Sequence, residues 1–353
     1  MGGKALSTNV AIRLTKANYE RLAADCVAKL RAAYPGMRIE VLGNYLDKAD
    51  FGDCDILIES SDAYDPHQAA GVLDAVEVVR NGPVTSIGVI VRPEVPFRDG
   101  NVFQVDLIRM PPEAFDFALA YFGRGDAGNL LGRIAHAMGV SLRHDGLFYI
   151  FRDGDYKFRE ILLTRSFDEA LVLMGYDPAP YRAGFKTVED IYAYVISSPF
   201  FDLDIFKLEN LNAKSRVRDR KRPMYMGFLE WAEAQPGLGA FAYPEDKAVW
   251  HSRIAEHFPH FKGAYDQALA DLAELRAAKA KFNGAWVSEL TGLQGKELGA
   301  LMQRFKAAFE SDEALRGYVL SHSQDVLKAR VLDTFKALEL ESTGRRFSSL
   351  PTS

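Results

Sequence analysis

Apolar residues recur at helical spacing through residues 15–34, where Tyr19, Leu22, Ala23, Cys26, Val27 and Leu30 share one face. This predicts an amphipathic helix, ended by Pro35-Gly36. Arg38 to Leu42 predicts a short strand followed by a Gly43-Asn44 turn, and Asp53 to Glu59 predicts a second strand. Residues 66–79 read as a helix ahead of Asn81-Gly82-Pro83, and Val84 to Arg92 as a strand. A turn at Arg98-Asp99-Gly100-Asn101 would bring Val102 to Ile108 back as its antiparallel neighbour.

Pro111-Pro112 opens an expected helix over 113–122, since proline suits a first helical turn, and Ala127 to Met138 predicts another. Gly146 to Arg152 and Tyr156 to Leu163 flank Asp153-Gly154 and read as a hairpin. Ser166 is the candidate cap of a helix reaching Met174, and Thr187 to Ile196 is a further helix. Beyond residue 205 the helical segments expected are 223–234, 246–257, 261–279, 288–292, 295–310 and 322–339. The fold class is therefore α+β: a mixed sheet with helices, then a mostly helical C-terminal region. The expected division is 1–110, 111–200 and 201–341, with 342–353 as a flexible tail.

Composition narrows the function classes. With 23 Phe and 15 Tyr the chain has ample material for packed cores, against disorder. No run of about 18 apolar residues occurs, so no membrane partner is expected, and the first residues lack the apolar centre of a signal peptide. The two cysteines, Cys26 and Cys54, fit neither a disulfide scaffold nor a structural zinc site; a cytoplasmic or other reducing intracellular compartment is expected. The net charge of -5 argues against a generally basic nucleic-acid binder, but Lys214, Arg216, Arg218, Arg220, Lys221 and Arg222 are clustered and offer phosphate contacts. The alternative for this tract is a solvated connector between helices. Phe228 and Trp231 are expected on the core side of their helix.

Asp53 and Asp55 carry the most specific chemistry. Two acids two apart on a strand share one face, and an otherwise apolar strand does not bury carboxylates without an offset for their charge. Cys54 faces the other way, as a small core residue. Asp106 supplies a third acid from the strand Val102–Ile108. Three carboxylates suit two oxygen-liganded divalent ions about 4 Å apart, the arrangement of two-metal phosphoryl transfer. Mg²⁺ fits such ligands, with Mn²⁺ as a substitute. Gly43 and Asn44 offer backbone N–H groups to a triphosphate.

Gly43-Asn44, a spacer, Asp53-Cys54-Asp55 and then Asp106 together resemble the motif of the nucleotidyltransferase superfamily. The stretch from Val105 through Ala118-Leu119-Ala120-Tyr121-Phe122, and Gly123-Arg124-Gly125-Asp126-Ala127-Gly128-Asn129 through Arg133, is similar to family X (beta-like) DNA polymerases. The likeness covers residues 10–175. It implies a palm domain in residues 1–110 and a nucleotide-binding, thumb-like subdomain in 111–200; the helical region beyond, with its basic tract, would take the place of the family's DNA-gripping modules. It implies that Asp53 and Asp55 hold both metals and Asp106 the catalytic one. Asn44, with Gly43, would face the triphosphate, Gly123 and Gly125 belong to the incoming-nucleotide segment, and Tyr121 and Phe122 would sit against the incoming sugar. Lys48, or a basic residue of the helical half, would meet the phosphate charge in place of the family's arginines. Asn129 would touch the base or primer terminus, and Arg133 the template strand.

Leu46-Asp47-Lys48 replaces the arginines that follow the glycine-serine pair in that family, and Asp126 adds negative charge. No helix-hairpin-helix pattern precedes the motif, so gap-end recognition is not expected. The implied activity is template-directed addition of a deoxynucleotide to a primer 3'-hydroxyl with pyrophosphate release. Template-independent transfer to RNA ends or another hydroxyl acceptor is the alternative; an inactive nucleic-acid-binding scaffold and a two-metal nuclease are further readings.

Overall fold

The structure, a computed structural model, describes residues 3–60, 62, 64–91 and 101–348. The expected turn at Arg98-Asp99-Gly100 lies outside the described residues. The chain divides into two compact units between Lys262 and Gly263, so the positions 110 and 200 both fall within the first.

The first unit opens with β1 (Leu14–Thr15) and α1 (Lys16–Ala33), then β2 (Ile39–Val41), β3 (Asp50–Phe51) and β4 (Asp53–Glu59). Next come α2 (Pro66–Val72), β5 (Ala75–Asn81), β6 (Val84–Ile90) and β7 (Val102–Met110). Five strands form a mixed sheet in the order β2-β4-β7-β6-β5, in which only the central pair β4 and β7 runs parallel. The fold is thus α+β. β6 and β7 are antiparallel neighbours, as the sequence pattern predicts.

Tyr19, Ala23, Cys26, Val27 and Leu30 of α1 are buried against one sheet face, where Cys54, Ile56 and Ile58 point. Cys54 is fully buried, the small core residue expected of it. Alternation sends Asp53, Asp55 and Leu57 to the opposite face, together with Gln104, Asp106, Ile108 and Met110 of β7. Leu57, Ile108 and Met110 are buried there with Phe115 and Ala118. The remaining half of that face carries the polar residues.

One expectation fails here. The helix predicted over 66–79 stops at Val72, and Ala75–Asn81 is the edge strand β5, paired with β6. Val76-Glu77-Val78-Val79 is rich in β-branched residues and alternates in exposure, and Asn81-Gly82 (Gly82 φ +60°) is hairpin chemistry. The strand period therefore outweighs the short helical match.

Downstream lie α3 (Phe115–Phe122), β8 (Gly123–Asp126), α4 (Ala127–Ala137), β9 (Val140–Arg143), β10 (Gly146–Asp153) and β11 (Tyr156–Thr164). The last three form an antiparallel sheet in the order β11-β10-β9, containing the expected hairpin. Then follow α5 (Phe167–Leu173), α6 (Pro178–Ala183), α7 (Val188–Ile196), α8 (Ala213–Asp219), α9 (Pro223–Glu233) and α10 (His251–His257). Ser166 caps α5 by accepting from Glu169 N, and Thr187 with Asp190 forms a capping box on α7. The first part of the basic tract is the helix α8, capped by Asn212. Phe228 is fully buried, on the core side of α9.

α11 (His260–Lys281) passes from the first unit into the second, which continues with α12 (Gly284–Thr291), α13 (Gly295–Lys306), α14 (Asp312–Ser321) and α15 (Gln324–Ser348). Phe282, Phe305, Leu315, Val319, Leu327 and Val331 share its core. α14 goes beyond the sequence pattern; Leu315 and Val319 give it one buried stripe, and Ser311 caps it. α15 continues through residues 342–348, where a flexible tail is expected. Its helix-favouring Glu, Leu and Arg residues carry the helical period past Leu338, and the next proline comes only at residue 351. Among the described residues no helix is long and apolar enough to cross a membrane.

Candidate active site

Register brings the acids together. In the parallel β4–β7 pair, Asp55 lies directly opposite Asp106 and Asp53 opposite Gln104. One carboxylate oxygen from each of Asp53, Asp55 and Asp106 lies within 4.8 Å of the other two. All three residues are half-buried, so they are not a solvated acidic loop. Two side chains of the sheet donate to Asp106: Gln104 Nε2 lies 3.0 Å from both its oxygens, and the Ser86 hydroxyl also bonds it.

The electrostatics follow from that crowding. Burial, then Asp53, then Asp106 push Asp55 up to about 7, with Lys48 opposing them. Burial also raises Asp106; the Ser86 hydroxyl and the Gln104 amide counter it, and Asp53 adds to it. The donor set is all oxygen, which fits Mg²⁺ or Mn²⁺ and disfavours soft metals.

A pH prediction follows. Asp55 titrates near its ordinary 3.8 when unfolded and near about 7 when folded, so between those values the folded state binds the extra proton. Its contribution to stability is fully present below 3.8 and is lost as the pH rises to about 7. A bound cation offsets the loss. The rise in melting temperature on adding Mg²⁺ should therefore be small at pH 5 and grow through pH 8, by differential scanning fluorimetry. A rise independent of pH contradicts the assignment.

Asp53 and Asp55 line a cleft of about 920 Å³. Gly43, Asn44, Lys48, Phe122, Gly125, Lys221 and Arg222 line it too, as do Lys4, Arg13, Tyr192 and Met224. Gly43 permits a close backbone approach, because a Cβ there would stand 2.9 Å from the Gly123 carbonyl oxygen. Gly125 (φ +58°) faces the Asn44 side chain and the Met224 sulfur, at 3.4 and 3.3 Å from where a Cβ would sit. Gly123 thus backs the Gly43 turn rather than facing the cleft. Burial lowers the Lys48 ammonium, with Asp53 and Asp55 opposing that shift; Lys48 also lies 4.6 Å from the Phe51 ring. Phe51 stacks on Tyr19 at 3.8 Å, which stiffens this wall.

The other expected contacts lie elsewhere. Tyr121 packs edge-on against Phe122 and is absent from the cleft lining among the described residues. Asn129 and Arg133 both bond Asp219, and Arg133 lines a separate cavity of about 290 Å³. Lys214 and Arg220 are exposed on and beside α8, and the half-buried Arg216 donates to the Leu211 carbonyl oxygen at 2.9 Å.

Asp219 is a residue the sequence pattern did not single out, although a lone acid in a basic tract is a visible signal. Fully buried, it takes Arg133 and Arg218 as partners, with Arg222 3.9 Å away. Burial alone would raise its carboxyl, but Arg218 and Arg133 overcome this and hold it below the usual carboxylate range. Asp126 likewise pairs with Arg222, so its negative charge is locally met. The pair stations Arg222 at the cleft wall.

No protein-family model matches the chain, and no curated protein matches it either.

Proposed function

We infer that the protein is a metal-dependent nucleotidyltransferase that uses a nucleoside triphosphate and releases pyrophosphate. The observation that carries this reading is the acid trio beside a cleft that also holds the Gly43-Asn44 turn and several cations. The β4–β7 pair, with acids on neighbouring strands of a mixed sheet, is compatible with the palm of beta-like polymerases. Asp53, Asp55 and Asp106 would hold the divalent cations, which when bound stabilise the charge of the leaving pyrophosphate and lower the pKa of an attacking hydroxyl. Lys48, Lys221 and Arg222, which line the cleft, neutralise phosphate oxygens. Phe122, Tyr192 and Met224 form the less polar wall, against sugar and base. Asp106, raised by burial, accepts the proton of the acceptor hydroxyl on a carboxylate oxygen.

For the acceptor, transfer to a nucleic-acid 3'-hydroxyl fits the exposed Lys214, Arg220 and Lys221. A specific observation favours template-independent transfer over template-directed synthesis: Asn129 and Arg133, the two residues expected at primer and template, are both committed to Asp219. Incubation of the whole protein with α-labelled triphosphates, Mg²⁺ and a primer, with and without template, tests both points. Primer labelling with pyrophosphate release is expected, and to a similar extent without template. Template-dependent labelling returns the polymerase reading; cleavage of the primer without pyrophosphate points to a nuclease.

A further inference from the structure

The N-terminal residues cross the polar half of the sheet. Gly3 N donates to Asp53 Oδ2 at 3.2 Å on β4, and Ala5 N donates to Gln104 Oε1 at 2.8 Å on β7. Leu6 lies over Gly88 of β6, its Cδ1 3.2 Å from where a Cβ would be. Ser7 N, Thr8 N and Asn9 N then donate to Glu77 of β5 at 2.6, 2.8 and 2.9 Å, joined by the Ser7 hydroxyl and the Asn9 side-chain amide. Between Gly3 and Ser7 the contacts pass from β4 to β5, three strand spacings of about 4.8 Å each. Gln104, whose oxygen is held by Ala5, turns its amide nitrogen to both oxygens of Asp106.

Two of the three carboxylates are therefore tied to this segment, one directly and one through Gln104. The donors matter because three like charges within 4.8 Å repel one another. Gly3 also fits only as glycine: its φ is +79°, and a Cβ would lie 2.3 Å from the Gly52 carbonyl oxygen. The far anchor is durable. Partial desolvation would raise Glu77, but its bonds from Thr8, Asn9 and Ser7 prevail and hold it down at about 2, ionised throughout the neutral range.

The geometry points to Gly3–Asn9 as a strap that positions the metal-binding carboxylates, with Glu77 as its remote anchor. This rests on the metal-centre reading of the trio. Glu77 is a positioning residue: it lies on an edge strand two strands from β7 and acts only through the strap. The strap holds Asp53 and Asp106 in their binding orientation before a cation arrives, and its loss leaves the carboxylates to splay.

The test is Mn²⁺ titration of the full chain, read by electron paramagnetic resonance, with amide hydrogen exchange across residues 3–9. Glu77→Ala should speed exchange of those amides and weaken Mn²⁺ binding about 10-fold, the scale of losing an outer-shell partner. Glu77→Gln, which keeps an acceptor oxygen, should recover part of the affinity. Thr8→Pro removes a strap donor from the other side and should act in the same direction, even if Glu77→Ala folds poorly. Fast strap exchange with unchanged or tighter Mn²⁺ binding overturns the strap's role while leaving the metal centre intact. Absence of Mn²⁺ binding by the unaltered protein overturns both.

Discussion

Asp55→Asn should raise the melting temperature of the metal-free protein at pH 8 while abolishing nucleotidyl transfer. Its carboxylate is half-buried, sits directly opposite Asp106 and has Asp53 on the same face. Burial, Asp53 and Asp106 all act against its ionised form, raising it to about 7. At pH 8 Asp55 is ionised in both states, but only in the folded protein is that charge half-buried beside two other carboxylates, and an amide of the same shape removes the penalty. Activity should move the other way. A direct ligand should cost more than the ~10–100-fold typical of outer-shell partners, and on the order of 10³-fold or greater is expected. A site strained for function and relieved by its own inactivation is the usual stability–activity trade-off. Thermal melts without metal and pyrophosphate release with Mg²⁺ check the two halves. A lower melting temperature contradicts the electrostatic account, and retained activity contradicts the catalytic one.

Asp219→Ala should produce the largest loss of stability among the polar positions discussed. Asp219 is fully buried and holds Arg133, itself only 11% exposed in its side chain, together with Arg218 and the Asn129 amide. Removing it leaves two guanidinium groups without their shared counter-charge. Breaking a buried pair from one side costs roughly 3–5 kcal/mol, much of it the penalty on the charge left behind. The urea midpoint should fall accordingly. Because Arg222 is shared between Asp126 and the edge of this cluster, nucleotide affinity should fall as well. Asp219→Asn keeps an acceptor oxygen and should lose less. An unfolding free energy within about 0.5 kcal/mol of the unaltered protein, the range of ordinary surface substitutions, contradicts this role.

The central strands were legible because their chemistry is local. Asp53-Cys54-Asp55 on an apolar run predicts both the strand and the face of each side chain, and the structure agrees on Cys54 and on the pairing of β6 with β7. The capped helices α5 and α7 were legible for the same reason. Contacts between distant residues were not. Asp219 meets Arg133 across 86 positions, and Gly3 meets Asp53 across 50, with no periodicity to announce either. β5 is not legible in the sequence, because seven residues of mixed pattern match a helix as well as a strand until the hairpin partner is known. The basic tract gave its charge in the sequence, but its arginines are divided between internal partners and solvent by one buried aspartate.

The most direct test of the metal centre is Mn²⁺ binding by the full chain in the presence of a non-hydrolysable nucleoside triphosphate, for the unaltered protein and for Asp106→Ala. Two Mn²⁺ per chain are expected in the unaltered protein and one in Asp106→Ala, because Asp53 and Asp55 remain. No Mn²⁺ in the unaltered protein, or the same two in the variant, would contradict the assignment of the acid trio.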